Sequence, residues 1–318
     1  MSSLSNLPYG KILDYWYERL DGHKHRRKFI LTKLIEVFTF KSQSGKARES
    51  GNFIEFPEPI YNKVPEHPVI VVVAPVYVRN KQEATNIRNL TESLNKQTYK
   101  PESIILVDDC SPHSFDANGC RVHRLSKNFG PAKARNIGKD IALELGADIV
   151  AFIDSDCIAD TDWLKTISEG FIENRKCNIL SGNTISFDEH WFGTYHNING
   201  TLNGRKLKNS DLLLYGTTAN LAVAAEVAKG LNFNEQFPFA AGEDIEFCFR
   251  ANTAGYSIAY IKAMMVMHNY GYNENALANF KKFRNLFKKY GAGERILLEQ
   301  VPNYYAYFNQ TIEISVIQ

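Results

Sequence analysis

Two acidic pairs in this chain have the residue types and the placing to do chemistry. In "AFIDSDC", Ala151 to Cys157, three apolar residues run into Asp154-Ser155-Asp156, and in "GEDIEFCFRANTAGY" the pair Glu243-Asp244 precedes an apolar-periodic stretch. Side chains at i and i+2 of an extended segment point the same way, so Asp154 and Asp156 can present two carboxylates to one pocket. Two negative charges placed together need a cation. Hard carboxylate oxygens suit Mn²⁺ or Mg²⁺, ions that take few protein ligands and complete their shells with phosphate oxygens and water. A turn-capping aspartate pair is the plain structural alternative. Glu243-Asp244 reads as a helix start, where the dipole favours negative charge, with Ile245 and Phe249 packed inward. A helix start is also a rigid mount for a general base, so both readings hold together.

These residues must be positioned by an alternation of strand and helix. "VIVVVA" (Val69 to Ala74) is a β-branched run of the kind buried on both faces of a parallel sheet. "QEATNIRNLTESLNKQ" follows with Ile87, Leu90 and Leu94 on one helical face, and Asn80 and Glu83 can cap its start. "SIILV" (Ser103 to Val107) is the second strand and "RVHRL" the third. "PAKARNIGKDIALELG" is a helix opened by Pro131, with Ala134, Ile137, Ile141 and Leu145 expected inward, and "DIVAFI" (Asp148 to Ile153) is the next strand. The expected fold is α/β with a mostly parallel central sheet, in which ligands bind beyond the carboxyl ends of the strands. Tyr77, Asp109 and the Asp154-Ser155-Asp156 triplet therefore crowd one sheet edge.

Composition sets the class without naming an activity. With 318 residues, 44% hydrophobic and 23% charged, the chain has the make-up of a folded globular protein. The net charge of +2 is uninformative, but residues 1 to 50 hold ten Lys/Arg against five Asp/Glu, so the basic excess is N-terminal. Nothing in this balance calls for nucleic acid. Five cysteines without CxxC spacing argue against a disulfide framework or a zinc site and fit a reducing cytoplasm. The opening residues lack the order of a signal peptide, and "VIVVVAPVYV" is too short to span a bilayer. Prolines 57, 59, 65 and 68 mark a connector, giving an N-terminal helical extension and linker over 1–67, a main domain over 68–270 and a helical, aromatic C-terminal extension over 271–318. An amphipathic helix with basic flanks is expected around Phe29 to Val37.

Taken in order, "VVVAPVYVRN", "ILVDDCSP", "NFGPAKARNIG", "FIDSDC", "GEDIEFCFRANTAGY" and "MHNYG" resemble the inverting family 2 glycosyltransferases with the GT-A nucleotide-sugar-binding fold. The resemblance covers about residues 68 to 270 and implies a GT-A, Rossmann-like domain. It implies Asp156 and His268 as ligands of Mn²⁺ or Mg²⁺, with Asp154 at the ribose or donor sugar and Ser155 in the nucleotide-sugar site. Pro75, Tyr77, Arg79, Asp109, Asn128, Gly130 and Arg135 would line the nucleotide-sugar site, Asp109 against the base and Arg135 (or Lys133) near the phosphates. A carboxylate accepts hydrogen bonds, so Asp109 can take the ring N–H of uracil, thymine or guanine but not cytosine, which has none. Asp244 would be the base of a direct, inverting displacement, Glu243 would orient the acceptor or a loop, and Asn220 and Trp191, beside His190, would lie near the acceptor.

The implied reaction moves a single sugar from a nucleoside-diphosphate donor, UDP foremost, to a hydroxyl of a glycan, a lipid-linked or a small-molecule acceptor. The QxxRW motif and membrane spans of processive members are missing from the sequence. A scaffold that binds nucleotide or glycan without catalysis, and a sugar nucleotidyltransferase, are the competing classes. The latter needs a glycine-rich loop after the first strand, and "APVYVRNKQEA" has none. The segment "FKKFRNLFKKYG" sets Phe280, Phe283, Phe287 and Tyr290 on one face. With its lysines elsewhere, it is either a helix packed on the domain or a peripheral contact with the inner face of a membrane. The aromatic tail reads as a packing element, a homo-oligomer contact or the stump of a longer chain.

Overall fold

The computed structural model describes residues 55–187, 190–273 and 275–307. The chain divides into two compact units, Ile54–Pro302 and Met1–Phe53 with Asn303–Gln318. The helix expected around Phe29 to Val37 lies outside the described residues, and the first of these units carries the candidate site. No helix of the described residues is long and apolar enough to cross a membrane.

Strand β1 (Ile70–Val76), helix α1 (Lys81–Asn95), β2 (Ser103–Asp108), β3 (Arg121–Arg124), α2 (Pro131–Glu144) and β4 (Ile149–Ile153) form the first half. There follow β5 (Cys157–Ala159), α3 (Trp163–Glu173), β6 (Cys177–Ser186), α4 (Trp191–Asn199), β7 (Arg205–Lys206), β8 (Leu213–Tyr215), β9 (Asn220–Ala224), α5 (Ala225–Gly230), α6 (Glu243–Thr253), β10 (Ser257–His268) and α7 (Ala276–Gln300). Eight strands make one sheet in the order β3-β2-β1-β4-β9-β6-β10-β5, and β7 pairs with β8 separately. Only β9 and β5 run against the rest of the large sheet. The mostly parallel sheet flanked by helices is therefore as expected, and β1, β2 and β4 end side by side.

The two faces of the sheet are filled differently. On one, Ile87, Leu90 and Leu94 of α1 join Trp163, Leu164, Ile167 and Phe171 of α3 over Val72, Ala74 and Leu106. α1 begins as expected at Asn80, whose side chain accepts from the Glu83 N–H, while Glu83 reaches back one residue further than a capping box does and accepts from the Arg79 N–H. On the other face α2 departs from the expected pattern. Ile137, Ile141 and Leu145 are only half-buried, and the stripe against the sheet is Ala134, Arg135, Gly138, Lys139 and Ala142. The helix lies so close to β1 and β2 that a methyl at Gly138 would run into Val73 and come within 3.0 Å of Val107. Large apolar side chains cannot fit there, so small residues and two enclosed cations line the contact. Lys139 donates to the Ala228 carbonyl at 2.8 Å.

Candidate active site

The sheet edge gathers the acidic residues through three local devices. β4 delivers Asp154, and the chain then turns back so that β5 runs antiparallel to β10, with Cys157 opposite His268 and the Asn269 N–H on the Asp156 carbonyl at 2.8 Å. This return pins Asp156 beside His268, and Asp156 Oδ1 lies 3.1 Å from His268 Nε2. α2 starts immediately beyond the β2 and β3 ends and carries Arg135 at its second turn. α6 starts with Glu243, Asp244 and Glu246 in its first turn, where unpaired backbone N–H groups stabilise negative charge.

Arg135 ties these elements together. Its side chain is only 2% exposed, and it donates from Nη1 to Glu243 Oε1 at 2.7 Å and from Nη2 to Asp154 Oδ1 at 2.9 Å. Burial by itself would lower the guanidinium pKa, but Asp154, Glu243 and Asp244 outweigh it and hold the group charged. The expectation that Arg135 faces the phosphates is thereby corrected: both terminal nitrogens are engaged, and the side chain braces the two acidic motifs. Of the two roles expected for Glu243, the acceptor contact is the one the burial opposes: the side chain is enclosed, it anchors Arg135, and its second oxygen has no partner among the described residues. Lys133 pairs with Glu235 at 3.1 Å on the surface.

Asp244 is the partly accessible member of the pair. Its Oδ1 accepts from the Ile245 N–H at 2.9 Å and its Oδ2 loosely from the Thr218 N–H at 3.4 Å. Burial and the neighbouring Glu243 push its pKa up to about 7, against the pull of Arg135 and the backbone donors. A carboxylate so tuned can accept a proton near neutral pH and release it again.

Asp156 and His268 fit a divalent ion on three observations. Their side chains are 35% and 11% exposed, so the carboxylate still opens outward. The 3.1 Å between Oδ1 and Nε2 is close to the ~3 Å expected of adjacent ligands on an octahedral ion with bonds of about 2.1 Å. Asp154 stands two residues away with one oxygen on Arg135. Burial opposes ionisation of both partners, yet the mutual attraction prevails, lowering the Asp156 pKa and raising that of His268. Cys157 also comes within 4.8 Å of this pair, a proximity that the sequence pattern did not suggest. Burial and the adjacent aspartates push its thiol pKa well up, so it stays protonated and points to the Ala219 carbonyl.

The remaining expected residues divide. Tyr77, 41% exposed at the end of β1, is open to a ligand, and Pro75 and Ser155 are half-buried beside it and Asp154 respectively. Asp109 is 4% exposed and accepts from the Phe129 and Gly130 N–H groups at 2.7 and 2.8 Å, which fixes the loop into α2 and leaves each oxygen one further lone pair. Asn128 is exposed on that loop, while Gly130 is buried at the start of α2. Arg79 pairs with Glu83 at the exposed start of α1. Asn220 does not reach an acceptor: it is wholly buried, accepting from Trp163 Nε1 at 2.9 Å and donating to the Asn183 and Met264 carbonyls. These three bonds knit β9 to α3, β6 and β10. Trp191 is half-buried at the first turn of α4, and His190 caps that helix and meets Asn279 at 3.0 Å, so His190 is a packing element.

α7 packs over this region. Phe283 and Phe287 stack among Tyr195, His196 and Phe192, whereas Phe280, expected on the same face, is 54% exposed. Tyr290 looks inward, and burial together with Asp244, Asp154 and Asp156 raises its hydroxyl pKa far beyond the usual value. A surface depression lined by Arg88, Asn95 and Gly119 lies at the other end of α1 and contains none of these residues.

Comparison with known proteins bears on the family and the fold. The family model described as glycosyl transferase family 2 matches residues 71–225, and that described as glycosyl transferase family group 2 matches residues 149–315, more than half of the chain. A glycosyltransferase named GlyG from Streptococcus pneumoniae serotype 4 is 27% identical over 141 residues, which are 42% of this chain and 44% of that protein, so the match spans less than half of the relative's length. Among solved structures, the mannosyltransferase PcManGT of Pyrobaculum calidifontis, in complex with GDP-Man and Mn²⁺, aligns over 91% of this chain and 82% of its own at a TM-score of 0.52 and 12% identity. S. aureus TarS 1-349 in complex with UDP-GlcNAc aligns over 75% and 73% at a TM-score of 0.50 and 17% identity. At these identities the likeness speaks for the fold, a GT-A architecture.

Proposed function

The chain belongs to glycosyl transferase family 2, and from that premise we propose that it is a metal-dependent, inverting glycosyltransferase using a nucleoside-diphosphate-sugar. The observation that carries this reading is the Arg135 bridge, which fastens a base-like Asp244 to the strand end bearing Asp154 and the Asp156–His268 pair. The base of the nucleotide lies against Tyr77, with a free lone pair of Asp109 taking its ring N–H, which favours uridine over cytidine. PcManGT and TarS, named as complexes with GDP-Man and UDP-GlcNAc, support a nucleotide-sugar donor.

In the reaction, Asp244 removes the proton of an acceptor hydroxyl as that oxygen attacks the anomeric carbon. The bond from that carbon to the phosphate oxygen breaks on the opposite face, and the nucleoside diphosphate leaves with the bonding pair. Asp156 and His268 would hold Mn²⁺ or Mg²⁺, which when bound neutralises charge on the departing diphosphate. Arg135 holds Asp154 and Glu243 in register, so the strand end with the metal pair and the helix start with Asp244 meet the donor without rearranging. The acceptor is a glycan, a lipid-linked or a small-molecule hydroxyl, and one sugar is added per encounter.

Calorimetric titration with UDP, GDP, dTDP and CMP, each with Mn²⁺ and with chelator, tests the reading. UDP binding that needs the metal, followed by transfer from a UDP-sugar with inverted anomeric configuration, is the expected result. A stronger GDP response keeps the mechanism and changes the donor. Absence of binding by every nucleotide overturns the proposal in favour of a non-catalytic member of the fold.

A further inference from the structure

The acidic centre holds more negative charge than its enclosed cation can balance. Asp154, Asp156, Glu243 and Asp244 converge there, while Arg135 is already committed to Asp154 and Glu243. A diphosphate arriving beside the remaining carboxylates needs positive charge beyond one divalent ion. The place to look is α7, which is fastened on both sides of the centre. Lys282 Nζ donates to the Gly271 carbonyl at 2.9 Å, in the loop that follows His268. Three turns later, Gly293 lies so tightly on the loop before Glu243 that a methyl there would run into the Ala241 carbonyl, and Gly242 in turn faces the Gly293 carbonyl. A helix held at those two points must cross the gap between the metal pair and the base with the residues in between. Phe283, Phe287 and Tyr290 fill its inner face, and Lys289 falls on the flank of that face, half-buried. The charge of Lys289 acts on both Asp156 and His268, yet its ammonium closes no ion pair or hydrogen bond with any described residue.

We propose that Lys289 is the diphosphate-binding cation of this site, a contact that reaches the donor from α7 rather than from the strand ends. The inference rests on the reading of the site as a nucleotide-sugar centre and adds to it the residue that receives the leaving group. An ammonium is a compact point charge suited to phosphate oxygens of varying geometry. Tyr290, the next residue, is kept protonated by burial and by Asp244, Asp154 and Asp156, so it cannot compete as an anion.

The test separates a phosphate contact from a structural role by the sign of two effects. Lys289→Ala removes a positive charge next to the metal pair, so Mn²⁺ alone should bind as tightly as to the wild-type chain or more tightly. UDP in the presence of Mn²⁺ should bind about tenfold to a hundredfold more weakly, as expected for a lost charge-assisted hydrogen bond, while uridine changes less than about twofold. Lys289→Arg should recover most of the UDP affinity, and Lys288→Ala, on the exposed side of α7, should match wild type. Unchanged UDP affinity in Lys289→Ala, or a parallel loss of Mn²⁺, UDP and uridine binding, overturns the assignment while the nucleotide-sugar reading stands. A wild-type chain that binds neither UDP nor any other nucleotide overturns that reading and the assignment together.

Discussion

Replacing Arg135 by Met removes one charge and exposes two dependencies. Arg135 and Glu243 are both almost wholly enclosed, and one Glu243 oxygen has no partner among the described residues. Without the guanidinium, Glu243 becomes an uncompensated buried carboxylate, and breaking a buried pair by removing one partner costs about 3–5 kcal/mol. Asp154, a quarter exposed, recovers part of its hydration, so its share is smaller. Urea unfolding at pH 8 should therefore show a loss near 3 kcal/mol or above. Arg135→Met/Glu243→Gln should restore part of the stability at pH 8, because the buried charge goes with its partner. A second readout lies in the base: Arg135 pulls the Asp244 pKa down, so its removal should move the pH profile of transfer to higher pH. Arg135→Met less than ~1 kcal/mol from wild type, with an unshifted pH profile, would refute the brace and the electrostatic coupling alike.

Other perturbations have equally definite outcomes. Transfer should rise with pH through about 7 as Asp244 ionises, and Asp244→Asn should keep metal-dependent UDP binding while losing transfer; retained transfer would remove Asp244 from the role of base. The Asp244 pKa is raised on folding, so its favourable contribution is present below the unfolded carboxylate value and lost as pH rises through about 7. Asp244→Asn should accordingly melt higher than wild type at pH 8, with the advantage shrinking toward pH 4. Asn220→Ala leaves the Trp163 N–H and two sheet carbonyls unmatched and should cost about 2–4 kcal/mol in denaturant unfolding without a matching change in acceptor KM. Gly138→Ala forces α2 off Val73 and Val107 and should cost about 1–3 kcal/mol by the same measurement.

Much of the sheet was legible because its signals are local. β1, β2 and β4 announce themselves as β-branched runs, and a parallel arrangement then places Tyr77, Asp109 and Asp154 together by topology alone. The fate of α2 was not legible. Its apolar periodicity pointed to Ile137 and Ile141, but the distance to the sheet is set by Gly138, and close approach selects small residues over large ones. Arg135 and Glu243 illustrate a second limit: residue types suggested a phosphate contact and an acceptor or loop contact, whereas the two side chains pair with each other across 108 positions of sequence. Asn220 belongs to the same class, since nothing near it in the chain reveals that Trp163 will meet its side chain. The α7 contribution escaped for another reason. "FKKFRNLFKKYG" shows an amphipathic helix, and amphipathicity says which face is buried, not against what.

The position of β9 and β10 in the sheet has a consequence for how activity first appears in a newly made chain. β4 has no neighbour on its open side until β9 arrives, and His268 cannot meet Asp156 until β10 has settled beside β6 and β5 has folded back onto it. Pairings of such sequence separation form slowly, because loop closure must precede the contacts that reward it. Metal affinity should thus lag behind secondary structure during refolding, and the appearance of a Mn²⁺ site would time the docking of the last strands.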